Sequence, residues 1–233
     1  MIFSTGPCEE YLKTHFPEGS PLIFTAEMRE SCLRSPAQGH LECLRHAHEQ
    51  GMQWHPDICM WASYHGRLEC LRYAHENGCP WHEDTCGYAS EGGHLDCLRY
   101  AHENGAPWDE GTCGWSAREG RLECLRYAHE NGCPWDELTC TQASIQNQLD
   151  CLRYAHENGC PWDEETCRWA SFDGSLECLR YALENGCPAP DFSTIRVHPV
   201  VIPYLHHRGV RLAEGTVTSE IISRNMSSKV GSS

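Results

Sequence analysis

Positive charge is scarce in this chain: 18 Lys and Arg stand against 33 Asp and Glu over 233 residues, a formal net charge of −15. A protein that grips a phosphate backbone gathers cations to displace counterions, and no basic stripe runs along this sequence. No nucleic-acid partner is expected. Long apolar runs are also missing, and none approaches the ~20 residues that a bilayer-spanning helix needs. The start does not read as an export signal, because Met1-Ile2-Phe3 leads into polar and acidic residues without a charged lead or an apolar core. These absences lead to the expectation of a soluble, intracellular chain with no membrane partner. Its length suits one long repeat domain or two small globular ones.

Cysteine, by contrast, is abundant, with 17 residues, which raises the alternatives of a disulfide framework or metal sites. Their placement is periodic. Cys43, Cys70, Cys97, Cys124, Cys151 and Cys178 follow one another at intervals of 27 residues, each inside the same phrase, from GHLECLRHAHEQG to GSLECLRYALENG. A constant period of this size is the signature of a solenoid. Five complete copies run from about Gly39 to Asp173 and a sixth opens at Gly174. Cys32 and PYLHHRGV (Pro203 to Val210) belong to worn copies at the two ends, as expected of terminal repeats that show one side to water.

The unit from Pro161 to Gly186 predicts two helices. Asp163 offers a side-chain oxygen to the open N–H groups of a first helix over about Glu164 to Phe172, with Trp162 and Cys167 placed as a hydrophobic staple and Gly174 as the stop. Gly39, Gly66, Gly93 and Gly120 hold the stop position in other units; Asn147 is the exception, and Asn is the next-best residue for a left-handed helix end. The second helix runs from about Leu176 to Asn185 and ends at Gly186. At 100° per residue Leu41, Cys43, Leu44, Ala47 and His48 share one face, with Arg45, Glu49 and Glu42 opposite. A single unit cannot bury that face; a stack of neighbours can. Leucine-rich repeats share this period but need a strand of alternating leucines, which LECLRYAHENG lacks.

GHLECLRYAHENG resembles the second half of an ankyrin repeat, and the Ala-Ser pairs at Ala62-Ser63, Ala89-Ser90, Ala143-Ser144 and Ala170-Ser171 fall where ankyrins carry paired alanines. The likeness spans about Gly39 to Gly186. The chain is thereby identified as a member of the ankyrin-repeat family, similar to the short repeats seen in proteins of protists and large DNA viruses, and a viral source would place it in a host cell. Two features depart from the family pattern. The Thr-Pro-Leu-His stretch aligns with Glu165-Thr166-Cys167-Arg168, without its proline and histidine, and the unit is shorter than the usual ~33 residues. That loss falls where ankyrins project a β-hairpin, so tight loops are expected. The implied fold is all-α, an ankyrin-like helical-repeat solenoid with short loops and degenerate terminal caps. The expected organisation is a degenerate N-terminal cap over residues 1–38, repeats over 39–190, a degenerate C-terminal cap over 191–222 and a flexible tail over 223–233.

Sixteen of the cysteines fill three phases of the repeat: the second-helix set above; Cys32, Cys59, Cys86, Cys113, Cys140 and Cys167 on the first helix; and Cys79, Cys133, Cys160 and Cys187 at the inter-unit turn. Met52 and Ala106 substitute at that turn, an exchange no zinc ligand tolerates. Buried filler is the expected role, and a Cys/His-rich metal-binding or redox-sensing protein is the alternative reading. The ladder His48, His75, His102, His129, His156, replaced by Leu183, sits at the edge of the apolar face near a helix end, where a carbonyl can accept from the imidazole. It reads as half-buried packing or as a set whose protonation loosens the stack. Trp54, Trp81, Trp108, Trp135 and Trp162 are expected to pack between units.

Positions released from packing vary between copies. On the first helix these are Met60, Gly87, Gly114, Thr141 and Arg168, the neighbouring Trp61, Tyr88, Trp115, Gln142 and Trp169, and the helix-end pairs that include Tyr64, Glu91, Arg118, Ile145 and Phe172. The family resemblance implies that the first helix lines a concave, binding side. The expected partner-binding set is therefore Trp61, Tyr64, Tyr88, Glu91, Trp115, Arg118, Gln142, Ile145, Arg168, Trp169 and Phe172. The expected function is a non-catalytic protein–protein interaction module, a scaffold or adaptor working as a monomer and needing no cofactor. No nucleophile–base–acid set stands out from the periodic background, so no catalytic residue is expected.

Overall fold

The computed structural model describes residues 40–213 apart from 50 and 52. The expected cap over 1–38, positions 214–222 of the expected C-terminal cap and the tail over 223–233 lie outside the described residues. Within them the chain forms twelve helices and no strand. These are α1 His40–Glu49, α2 Asp57–Tyr64, α3 Leu68–Glu76, α4 Thr85–Gly92, α5 Leu95–Glu103, α6 Glu110–Arg118, α7 Leu122–Glu130, α8 Glu137–Ile145, α9 Leu149–Glu157, α10 Glu164–Asp173, α11 Leu176–Glu184 and α12 Ile202–His207. Short first helices (α2, α4, α6, α8, α10) alternate with second helices (α1, α3, α5, α7, α9, α11).

The ENGC phrase ends the second helices by backbone chemistry. After α3, Gly78 adopts φ 89°, its N–H donates to His75 O (3.0 Å) and the N–H of Cys79 reaches back to Ala74 O (2.9 Å). This is the Schellman arrangement, which satisfies the helix's last carbonyls. The side-chain amide of Asn77 adds a donation to Tyr73 O at 2.8 Å. The same bond closes the later turns at Ala106, Cys133, Cys160 and Cys187. The turn cysteine is therefore the small apolar residue tucked beneath a Schellman loop, which explains why Ala106 replaces it.

First helices start less uniformly. Asp136 and Asp163 accept from the N–H groups of Leu138 and Glu165 at 3.1 and 3.0 Å, the expected cap. Asp84 does not cap α4 with its side chain; there Thr85 Oγ1 donates to His82 O at 2.9 Å. The tryptophan expected to staple the cap turns to the preceding second helix, as Trp162 stacks on His156 at a centroid distance of 3.8 Å.

The chain divides into two compact units. One holds the described residues up to Ser116 together with Glu123–Cys133, and the other holds Ala117–Leu122 and Pro134 onward. In the first unit α2 packs on α4, α1 on α3, and α3 on α5, around a core that includes Leu44, Ile58, Cys59, Leu71, Cys86 and Leu98. In the second unit α8 packs on α10 and α9 on α11, and Cys140, Leu152, Cys167 and Leu179 are fully buried or nearly so. Each buried leucine contributes about 1.5–3 kcal/mol. Leu68 and His75 lie half-buried at the margin of the apolar face, and Arg72 and Glu76 are exposed. Beyond α11 the second unit continues through buried Phe192 and Val197 to α12, which ends in the same way as its predecessors. Gly209 takes φ 71° and Val210 N donates to Leu205 O at 3.0 Å.

Candidate functional site

The first helices carry every residue expected at a binding surface, and their outer positions separate into two groups. Met60, Gly87, Gly114 and Thr141, read from the sequence as released from packing, are buried. They vary because each neighbour leaves a different space. A Cβ added to Gly87 would stand 2.4 Å from the Trp115 ring, so the glycine makes room for that indole. Thr141 Oγ1 lies 3.4 Å from Thr166 Oγ1 inside the second unit.

In the first unit Trp61, Tyr64, Tyr88 and Trp115 are half-buried and touch one another. Ring centroids lie 5.9 Å apart for Trp61–Tyr64, 5.8 Å for Tyr64–Tyr88, 6.5 Å for Trp61–Tyr88 and 5.5 Å for Tyr88–Trp115. Much of each ring is thus committed to inter-repeat packing, and one face of the cluster remains open. The Trp61 Nε1–H is buried without a hydrogen-bond partner. Burial, and then the negative charges of Asp84 and Glu91, push the Tyr88 hydroxyl above its usual pKa, so it stays a neutral donor across the physiological range.

In the second unit Trp169 and Phe172 are 40% and 43% exposed and meet edge to face at 5.7 Å. The Arg196 guanidinium lies 6.0 Å from the Phe172 ring, a contact from beyond the repeats that periodicity gave no means of finding. Arg168 is held by Glu164 at 3.2 Å and Glu165 at 2.9 Å, and Arg118 stands 3.9 Å from Glu119. Ile145 is half-buried. Gln142, expected to lean towards exposure, is half-buried with its Oε1 enclosed and lacking a partner.

A second constellation recurs at the joints between second helices. His48, His75, His102 and His156 place Nδ1 2.9, 3.0, 3.0 and 2.9 Å from the hydroxyls of Tyr73, Tyr100, Tyr127 and Tyr181. The partner is thus a tyrosine of the following second helix, where a backbone carbonyl was expected. Trp81 stacks on His75 at 4.3 Å and donates its indole N–H to Asn104 O at 3.0 Å, and Arg72 lies over Tyr100 at 5.2 Å. These tryptophans pack between successive repeats, as expected.

The cysteines from Cys59 to Cys187 are buried thiols. Among the described residues no group of three or more His, Cys, Asp or Glu side chains is arranged to hold a metal ion. No helix among them is long and apolar enough to cross a membrane.

Compared with solved structures, the chain is similar to the crystal structure of the human ASB11 ankyrin repeat domain. The match covers 70% of this chain and 85% of that one, at 17% identity and a TM-score of 0.55. The chain has the ankyrin-repeat fold. No protein-family model and no curated protein matches its sequence. The ankyrin-type pairing of helices therefore survives in repeats of 27 residues whose inter-repeat segments, among the described residues, form no strand.

Proposed function

We propose that this ankyrin-repeat array is a non-catalytic protein-binding module that receives its partner on the outer positions of its first helices. The contact residues assigned are Trp61, Tyr64, Tyr88, Glu91 and Trp115 in the first unit, and Arg118, Gln142, Ile145, Arg168, Trp169 and Phe172 in the second. The observation that carries the reading is the Trp169–Phe172 pair: two large aromatics, each about two-fifths exposed, on the outer side of a helix whose inner side is closed by Cys167 and Ala170. Trp, Tyr and Arg dominate the energetics of protein interfaces when a partner covers them. The fold adds support, because ankyrin-repeat arrays are generally protein-interaction modules.

The test is affinity capture on the immobilised chain, with crosslinking mass spectrometry to locate the bound partner. The Trp169→Ala/Phe172→Ala variant alters exposed atoms and should fold normally, as circular dichroism would show. It should lose the partner at least tenfold in affinity, on the order of 1.4 kcal/mol or more. Retention of the same partner, crosslinked at the same residues, would remove this surface from consideration.

A further inference from the structure

Equivalent cysteines of successive repeats recur a whole repeat apart, but two different phases meet inside each repeat. A first-helix cysteine faces the turn cysteine 20 residues later. In Cys59–Cys79, Cys140–Cys160 and Cys167–Cys187 the turn thiol rests on the carbonyl four residues ahead of the first-helix cysteine, and all six sulfurs are buried. The turn thiols are themselves oriented by the backbone. Cys79 donates to His55 O at 3.3 Å, and Cys133, Cys160 and Cys187 donate to the carbonyls of Asp109, Asp136 and Asp163 at 3.1 Å each. In four repeats the turn thiol is thus held one helical turn before the first-helix cysteine. Cys86 shows that the approach belongs to the repeat: it has Ala106 opposite, and its sulfur lies 3.9 Å from the Ala106 carbonyl oxygen.

We propose that Cys59–Cys79, Cys140–Cys160 and Cys167–Cys187, with Cys113–Cys133 in the same register, are sites of reversible oxidative modification, each closing to a disulfide within its own repeat on exposure to a peroxide. The thiolate of one member attacks a peroxide oxygen, the O–O bond breaks, and a sulfenic acid forms while the released hydroxide takes up a proton as water. The second sulfur then displaces the sulfenic oxygen, which leaves as a second water, and the S–S bond forms. The pair gives up two electrons and two protons, and the peroxide is reduced to two waters. Because both sulfurs are buried, reaction waits on a local opening of the turn. Once closed, the bond ties the inter-repeat turn to the first helix of the same repeat and restricts the unfolded chain.

The test uses the full native chain treated with hydrogen peroxide, alkylated, and digested without reduction for mass spectrometry. Linked peptides are expected for the four pairs, each lighter by two hydrogens. Cys86 and the second-helix Cys70, Cys97, Cys124, Cys151 and Cys178 should stay reduced. The thermal midpoint should rise on oxidation and return with dithiothreitol. Cys79→Ala, which installs the residue that the equivalent turn carries at Ala106, should erase the Cys59 link and leave the others. Ala106→Cys should add a link to Cys86. Links scattered over all cysteines alike, sulfinic acids in place of disulfides, or no links under conditions that oxidise the urea-unfolded chain would each overturn the proposal.

Discussion

Asn147 shows how much one side chain can carry. It is the one non-glycine residue with positive φ among the described residues, at 54°, and stands where other repeats have glycine. Its amide oxygen also accepts from Cys178 N at 3.2 Å, capping the first turn of α11 in the next repeat. A Cβ is admitted here because of the residue 28 positions on. Above Gly66 and Gly120 lie His94 and Gln148, whose atoms would stand 2.5 and 2.4 Å from an added Cβ, whereas the equivalent of those two is the small Ser175, whose hydroxyl donates to Ile145 O at 3.1 Å. The left-handed backbone was legible from Asn147 alone; the cap was not, because its acceptor serves a helix 31 residues away. We expect Asn147→Gly to keep the backbone conformation and lose the cap, at about 1 kcal/mol or less. Asn147→Ala should lose both, at roughly 1–3 kcal/mol. Urea unfolding should rank wild type, Gly, then Ala; a variant in which alanine is the more stable would contradict this account.

At the scale of the element, both helices of a repeat reach the core and the first helices bear the variation. The phrase LECLRYAHE buries its Cys, its second Leu and its Ala and leaves its first Leu, Tyr and His half-buried. The tyrosine and histidine are then used between elements, where His156, Trp162, Tyr181 and Arg153 join α9 to α11. Helical periodicity reveals the buried face but not this joint, because the partners belong to different repeats and their meeting depends on the spacing of the stack. Leu152 is fully buried in α9, while Glu157 at its end is exposed. Leu152→Ala should cost about 2–5 kcal/mol. Glu157→Ala should stay within about 0.5 kcal/mol. Equal effects in denaturant titrations would show that α9 does not carry the core of its unit.

At the scale of the molecule, the repeats add up a common response to alkali. Burial, and then the nearby carboxylate of Glu76, Glu103 or Glu157, raises the hydroxyls of Tyr100, Tyr127 and Tyr181 above the usual 10.0. Burial likewise pushes Cys86, Cys97 and Cys178 from 9.0 up to about 12. An acid whose pKa is higher in the fold holds its proton more tightly there, so its contribution is complete below the unfolded value and vanishes as pH climbs through the folded one. Stability should therefore hold to about pH 9 and fall progressively towards pH 12, with tyrosine absorbance at 295 nm changing later than in the urea-unfolded chain. Cys97→Ala should flatten the thiol part of that fall. Stability that stays level from pH 9 to 12 would contradict the assigned burial.

The sequence by itself determined the period, the two helices of each repeat, their stops and the apolar face, because each of these depends on residues within one repeat and on backbone preferences that act over a few positions. The tertiary structure decided the rest. Met60, Gly87 and Thr141 turned out to be buried, histidine found tyrosine, Gln142 was partly enclosed, and turn thiols came to rest on the carbonyls that open the first helices. The physical reason is common to all of these. They depend on how close one helix or turn comes to another, and that distance is set by packing between segments far apart in the chain, which a repeating pattern of residue types does not encode.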